Sequence, residues 1–286
     1  MWGLFPLYWP LLEPAGAVEI LAHRIFWSLA VMAVLIVVLR RQATLRSVLA
    51  SPRTRVILGA AAVVITANWG TYIWGVNNKH VVETSLGYFI NPLVTVLMGV
   101  AFLGERLRLL QWVALGIAAA AVLGLTLEYG RPPWVALVLA FSFGAYGLAK
   151  KKADAGAVES LTFETLVLTP VAMGYLIWLM GQGESTFGHQ GTGHAVLLAG
   201  TGLVTAVPLI CFGAAATRVP MTTLGLLQYL APTIQFVLGV ALFREPMPPM
   251  RLLGFGVVWF ALAIFTFEAL SHRRQQLRLT AEASAL

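Results

Sequence analysis

Two ionisable side chains, Arg24 and Glu164, interrupt long apolar stretches of the sequence. A charge in apolar surroundings is costly unless it is paired or hydrogen-bonded, so such residues are the first candidates for chemistry. An arginine there can hold an anionic or carboxylate group through two parallel hydrogen bonds. A glutamate can bind a proton or a cationic group, or it can anchor a gate that closes the site. The alternative is that each side chain reaches the nearest polar boundary or pairs with a neighbour such as Glu19.

A second set of candidates consists of amides and phenols in the same apolar stretches. Asn68 and Tyr72 are four residues apart, and Tyr88 and Asn91 are three apart, so each pair shares one face of a helix. Such a wall suits a partly aromatic, amphipathic small molecule. The alternative is that amides join helices and aromatic rings lie at membrane interfaces. The predicted binding residues are Arg24, Asn68, Tyr72, Tyr88, Asn91, Tyr146, Gln228 and Tyr229.

The usual signatures of catalysis and metal binding are missing from the sequence. There is no HExxH motif and no GxxxxGK[ST] motif, and the single cysteine, Cys211, excludes an internal disulfide and a thiolate cluster. His23 adjoins Arg24 but points about 100° away around the helix, so the two need not share a site. We predict no enzyme activity, no cofactor and no metal. The five histidines are scattered as His23, His80, His189, His194 and His272.

The elements that carry these residues follow from the composition. The chain has 286 residues, of which 59% are hydrophobic and 11% charged, whereas a soluble domain carries about 25% charged residues. A helix needs about 20 apolar residues to cross a bilayer. The stretch Met1–Leu12 is too short to cross, and we interpret it as the second half of a first helix that has lost its beginning. Nine longer candidates run over 20–39, 56–77, 82–104, 109–127, 132–149, 160–181, 194–216, 222–243 and 252–271.

The cations predict the orientation of this all-α polytopic membrane protein. Fourteen of the nineteen Lys and Arg residues fall in loops on one side, four on the other, and Arg24 lies within a span. Because basic loops stay in the cytoplasm, both termini should face it. The +7 charge is therefore a topology signal and not a mark of nucleic-acid binding. The fourteen are Arg40, Arg41, Arg46, Arg53, Arg55, Arg106, Arg108, Lys150, Lys151, Lys152, Arg218, Arg273, Arg274 and Arg278.

The sequence also repeats itself. Pro92 and Glu105 recur 140 residues later as Pro232 and Glu245. Each half then holds five helices, and an odd number inverts the second copy in the membrane, an arrangement typical of secondary transporters. We expect ten helices in two inverted repeats, 1–129 and 130–272, with a cytoplasmic tail at 273–286.

Several matched positions have a predicted mechanical role. The prolines Pro92 and Pro232 remove backbone hydrogen bonds near mid-span and are candidate hinges. Glu105 and Glu245 close matched helices beside arginines, and we assign them to a structural charge cluster or a gate latch. Glu164 occupies the position that matches Arg24 and is assigned to coupling or gating. Since inversion places them in opposite leaflets, we expect no direct ion pair between them.

Several motifs resemble the RarD group of EamA-type transporters, in the drug/metabolite transporter superfamily. They are EILAHRIFWS (19–28), NWGTYIWGVNN (68–78), SLGYFINPLV (85–94), FLGER (102–106), FSFGAYGLAKKK (141–152) and TLGLLQYLAPT (223–233). The likeness covers nearly the whole chain and departs only at the N-terminus. It implies ten helices in two inverted repeats, a bacterial inner-membrane location and a permease role linked by name to chloramphenicol sensitivity.

The function favoured by these patterns is secondary transport of small organic metabolites or drugs by alternating access. The partners would be a small-molecule substrate and the lipid bilayer, and the protein would be a monomer or a homodimer. One alternative is a flippase for lipids or lipid-linked sugars on the same scaffold. An intramembrane enzyme and a pure channel are further alternatives that the scattered histidines and the absence of a charged ring disfavour.

Overall fold

A computed structural model gives the fold, and it describes residues 1–78, 81–128, 133–242 and 249–283. Within those residues the chain is helical and carries no strand. Two short 3₁₀-helices, Trp2–Leu7 and Trp9–Leu12, precede eleven α-helices. The α-helices are α1 (Ala17–Val38), α2 (Gln42–Ala50), α3 (Pro52–Asn77), α4 (Val81–Leu103), α5 (Leu109–Glu128), α6 (Trp134–Ala153), α7 (Ala157–Gly181), α8 (Thr192–Arg218), α9 (Met221–Gln228), α10 (Leu230–Ala241) and α11 (Pro249–Ala283).

Five of the described helices are long and apolar enough to cross a membrane. They lie at Ala17–Val38, Pro52–Gly75, Leu86–Leu103, Ala157–Gly181 and Gly191–Arg218, and shorter apolar helices cover Leu109–Gly124 and Leu252–Glu268. Exposed apolar side chains such as Val38, Val171 and Phe267 suit contact with lipid instead of water. The chain is therefore a multi-pass membrane protein.

The structure departs from the sequence-based expectations at three places. The stretch Met1–Leu12 forms 3₁₀-helices, with Pro6 inside the first and Pro10 in the second, so it is not the end of a regular α-helix. A short helix, α2, fills a segment that was expected to be a loop. The predicted span 222–243 is interrupted at Tyr229, since Pro232 has no N–H to donate to Gln228 and its ring would crowd that carbonyl.

Side-chain contacts bring the Lys- and Arg-rich segments between helices together at one end of the molecule, which we call the basic end. Arg41, after α1, pairs with Glu159 at the start of α7 through Nη1 and Oε1, 3.2 Å apart. Arg108, before α5, pairs with Glu268 of α11. Lys151 Nζ donates to the carbonyl of Val219, between α8 and α9, at 2.6 Å. The connections after α1, α4, α6 and α8 therefore share one face.

Two main clusters of buried side chains form the core, and α6 contributes to both. One joins α4, α5, α6 and α11 around Leu93, Val122 and Ala261. The other joins α1, α3, α6, α7 and α8 around Met32 and Tyr146. The second cluster includes Tyr146, one of the predicted binding residues.

Candidate functional site

Arg24 lies on α1 with its guanidinium between two indole rings. The Cζ atom is 5.0 Å from the ring centroid of Trp9 and 4.9 Å from that of Trp69 on α3, within the range of cation–π attraction. The Nε–H donates to Oγ1 of Thr205 on α8 at 3.0 Å. Among the side chains that the structure describes, this is the guanidinium's one hydrogen bond, and no carboxylate lies within ion-pair distance of it.

The expected alternative for Arg24, pairing with Glu19, is not what the structure shows. Glu19, five residues before Arg24, is almost fully buried, and its Oε1 accepts hydrogen bonds from the backbone N–H of Thr186 at 2.8 Å and from Ser185 Oγ at 3.3 Å. The terminal N–H groups of the Arg24 guanidinium are therefore available to another acceptor. A planar carboxylate is the acceptor whose geometry matches two parallel N–H donors of a guanidinium.

Two of the predicted phenols lie beside Arg24. The rings of Tyr72 on α3 and Tyr88 on α4 are 6.1 Å apart at 61°, and both phenols are within electrostatic range of the guanidinium. Tyr72 is three residues after Trp69, so the two share a face of α3. Arg24, Tyr72 and Tyr88 form, with Trp9 and Trp69, what we call the Arg24 cluster.

His23, next to Arg24, is directed elsewhere, as the helix geometry predicts. Its ring stacks on Phe187 with centroids 4.9 Å apart and an angle of 29°. It is buried and takes no part in the Arg24 cluster.

Glu164 lies in a second, separate arrangement with Tyr146 and Lys150 of α6. Its Oε1 is 2.6 Å from Lys150 Nζ, and its Oε2 accepts from the Tyr146 hydroxyl at 2.9 Å. Lys150 Nζ also donates to Ser160 Oγ at 2.8 Å. The side chains of Lys150 and Glu164 are each only 2% exposed. We call these four residues the Glu164 cluster.

Lys150 corrects the expectation that the fourteen loop cations, of which it is one, are only a topology signal. Read as one of three consecutive loop lysines, it was interpreted as a topology signal. In the structure α6 continues to Ala153, which carries Lys150 into the packed interior. Tyr146 and Lys150 are four residues apart on a helix, and this spacing could have placed both on the face that meets Glu164.

Asn68 joins helices in the structure. Its Nδ2 donates to the carbonyl of Leu139 and to Ser142 Oγ on α6, each at 2.9 Å. It is buried. A substrate-binding role for this residue stays a prediction.

The remaining amides and Tyr229 connect α4 with α9. Asn91 Nδ2 donates to Gln228 Oε1 at 2.5 Å, and Gln228 Nε2 donates to Thr95 Oγ1 at 3.4 Å. The Tyr229 hydroxyl donates to the carbonyl of Phe89 at 3.2 Å. This hydrogen bond joins α4 of the first half of the chain to the end of α9 in the second half. The predicted binding role of these residues also stays a prediction.

Glu105 ties the end of α4 to the start of α9. Its Oε1 accepts from the backbone N–H of Met221 at 2.6 Å and its Oε2 from that of Thr222 at 2.9 Å. A carboxylate at a helix N-terminus satisfies unpaired N–H groups and is favoured by the helix dipole. Lys151 Nζ lies 4.0 Å away. This geometry suits the predicted charge cluster or latch; its counterpart Glu245 lies outside the described residues.

The two predicted hinge prolines differ in their surroundings. Pro92 lies within α4, which continues through it, whereas Pro232 lies in the first turn of α10, just after the interruption at Tyr229. Gly225 of α9 packs directly on α4, since a Cβ there would be 2.7 Å from the Pro92 carbonyl oxygen. A hinge role for either proline stays a prediction.

Comparison with known proteins identifies the chain's relatives. The profile of the EamA-like transporter family matches residues 1–127 and 132–267. Protein RarD of Streptomyces exfoliatus is 60% identical over 99% of this chain and 90% of its own length. The uncharacterized transporter YojE of Bacillus subtilis is 44% identical over 96% of this chain and 92% of its own. A solved crystal structure matches with a TM-score of 0.72 at 18% identity, covering 94% of both chains, which supports the fold alone.

Proposed function

Because the chain belongs to the EamA-like transporter family, and is therefore a membrane transporter, we propose that it is a secondary transporter of small organic anions. The substrate would carry a carboxylate or similar anionic group together with an aromatic or other flat apolar portion. It would bind at the Arg24 cluster and reach both faces of the membrane in turn. The location we propose is the bacterial inner membrane, with the basic end in the cytoplasm.

The observation that carries this proposal is the guanidinium of Arg24. It is held in place by two indole rings and one hydrogen bond to Thr205, while its terminal N–H groups have no carboxylate partner among the side chains that the structure describes. Such a group can take a ligand's anionic end by paired hydrogen bonds. The rings of Trp69, Tyr72 and Tyr88 supply an apolar wall beside it.

Alternating access between two inverted halves is supported by separate observations. The family profile matches the chain twice, once in each half. Tyr229 and Phe89, one from each half of the chain, meet where α9 packs on α4. Helices from both halves, α1 with α3 and α8, surround Arg24. A site between the halves is where inverted-repeat transporters bind their substrates.

The proposal is tested with a panel of compounds and the purified full chain in detergent. Aromatic amino acids, nucleotide metabolites and amphenicols are added separately, and the melting temperature Tm is measured. A ligand at about 100 times its Kd stabilises the folded state by about 2.7 kcal/mol. We expect carboxylate-bearing aromatic compounds to raise Tm in the wild type, and Arg24→Gln to abolish the rise.

Arg218→Gln is the matched control, because Arg218 is an exposed arginine whose Nη1 donates only to the Ala214 carbonyl in its own helix. It should keep the full rise in Tm. A response that is equal in Arg24→Gln and Arg218→Gln would remove Arg24 from the binding site. Stabilisation by neutral amphenicols but by no anion would contradict the anionic class. Lipid scrambling in vesicles, without any response to the panel, would favour the flippase.

A further inference from the structure

The Glu164 cluster takes no part in the binding proposed for Arg24, yet it encloses two opposite charges. We propose that Glu164 is the site at which a coupling proton binds, and that Lys150 is the counter-ion that this proton displaces. The inference rests on the proposed function and deepens it by naming the coupling ion and its site.

The contacts of Glu164 suit a carboxylate that alternates between two partners. In the charged state Lys150 Nζ contacts its Oε1 at 2.6 Å and the Tyr146 hydroxyl donates to its Oε2 at 2.9 Å. A buried pair of this kind is stable only while both charges are present. When one proton binds the carboxylate, the group becomes a neutral acid, and the Lys150 ammonium keeps its charge but loses its counter-ion.

Lys150 has a second acceptor in the direction of the basic end. Its Nζ already donates to Ser160 Oγ at 2.8 Å, and Ser160 lies one turn before Glu164 on α7. A lysine in the last turn of α6 can extend its ammonium toward that end while its methylene stem stays in the apolar interior. Proton uptake would therefore break the Lys150–Glu164 ion pair, while the Lys150 ammonium keeps its hydrogen bond to Ser160.

Polar side chains connect the Glu164 cluster with the basic end. Arg41, whose side chain is 54% exposed, pairs with the buried Glu159, and Glu159 is followed by Ser160. Within the described residues, Lys150 and Tyr146, both on α6, are the charged or titratable groups that act on Glu164. The other helices packed on α7 are α1, α2, α3 and α8, and their described side chains bring no further charged or titratable group to Glu164. Arg41 pairs with Glu159 and not with Glu164.

An aromatic contact links the Glu164 cluster to the Arg24 cluster. The Tyr146 ring stacks on Phe212 of α8 with centroids 6.0 Å apart and an angle of 12°. Phe212 and Thr205 are seven residues apart, which places them on one face of α8 about 10 Å apart along its axis. Thr205 is the residue that holds Arg24. A change of partners at Glu164 can thus reach the substrate site through one helix.

The experiment is infrared difference spectroscopy of the full chain in lipid vesicles, titrated from about pH 9 to about pH 5 without any substrate. We expect a carboxylic-acid carbonyl band that grows as the pH falls and that Glu164→Gln removes. In Lys150→Met the band should grow at a pH at least about one unit higher than in the wild type, because no cation then favours the carboxylate. Lys150→Arg should return the transition toward its wild-type position.

Glu159→Gln is the control, since Glu159 is another buried carboxylate paired with a cation, and it should keep the Glu164 band. A band that Glu164→Gln does not remove, or a transition that Lys150→Met leaves in place, would overturn the inference. Arg24→Gln should retain the transition. Loss of the Glu164 transition with a normal Arg24-dependent ligand response overturns this inference alone, whereas the reverse result overturns the binding proposal alone.

Discussion

At the scale of single residues, polar side chains in this protein either hold helices together or remain open to a ligand. Asn68 represents the first kind, because its amide nitrogen bridges α3 to the Leu139 carbonyl and to Ser142 Oγ on α6. Arg24 represents the second kind, because its terminal N–H groups have no carboxylate partner among the side chains that the structure describes. In the sequence Asn68 and Arg24 look alike, because each is a polar group within an apolar span.

Replacing Asn68 should therefore affect stability and not binding. Asn68→Ala removes two hydrogen bonds between α3 and α6, each worth about 0.5–1.5 kcal/mol, and we expect a lower Tm. Compounds that stabilise the wild type should raise the Tm of the variant by the same amount. The control is Asn78→Ala, since Asn78 is exposed just after α3 and its amide donates to the Trp74 carbonyl in the last turn of that helix. Loss of the ligand response in Asn68→Ala would instead assign Asn68 to the binding site.

The sequence could identify Arg24 and the nearby phenols because an ionisable residue in an apolar span is unusual wherever it lies. It could not place Lys150, since a lysine at the end of a span is interpreted in the same way whether it faces water or turns inward. Nor could it supply Trp9 or Thr205 as partners of Arg24, because these contacts depend on how α1 packs against α8 and the N-terminal segment.

At the scale of elements, close contact between α1 and α8 positions Arg24 against Thr205. Gly202 allows this contact, because a Cβ at this position would lie 2.5 Å from the carbonyl carbon and oxygen of Trp27. Ser28 Oγ donates to the Gly202 carbonyl at 3.3 Å at the same crossing. Glycine at a helix crossing lets two backbones approach more closely than any other residue would.

Gly202→Ala should force α1 and α8 apart, lower the Tm and weaken the response to stabilising compounds, since Arg24 and Thr205 would separate. Gly116→Ala is the matched control, because a Cβ at Gly116 of α5 meets nothing within 4 Å. Alanine there should leave the protein unchanged or stabilise it by up to about 1 kcal/mol. Equal Tm values for the two variants would show that the α1–α8 crossing tolerates a larger separation.

Sequence patterns predicted the helices well but not their irregularities. Within the described residues a helix occupies most of each of the nine ranges expected from the apolar runs, although the range 222–243 is divided at Tyr229. Proline at 232 indicated a bend, but the same reasoning applied to Pro92, where α4 continues. The difference depends on packing around each proline, which a single sequence does not contain. The short helix α2 was missed because it is too polar to resemble a span.

At the scale of the whole molecule, the proposed transport requires two halves that open in turn. Glu105 closes one contact between them by accepting hydrogen bonds from the first turn of α9. This contact lies at the basic end, beside Lys151. The Arg24 cluster lies between helices of both halves and can therefore be exposed to either face if the halves rock about α4 and α9.

Access to the Arg24 cluster from each face of the membrane can be measured without knowing the substrate. In a Cys211→Ser background, Tyr72→Cys places a thiol beside Arg24, Ser47→Cys places one at the basic end, and Thr192→Cys places one at the opposite end. Each variant is treated with a membrane-impermeant maleimide in right-side-out and in inside-out vesicles, and the labelled fraction is measured.

Positions 47 and 192 should label from one face each, and from opposite faces, which also fixes the orientation of the basic end. Position 72 should label from both faces, because the site would spend part of its time open to each. Labelling of position 72 from a single face, with the two end positions behaving as expected, would contradict alternating access at the Arg24 cluster.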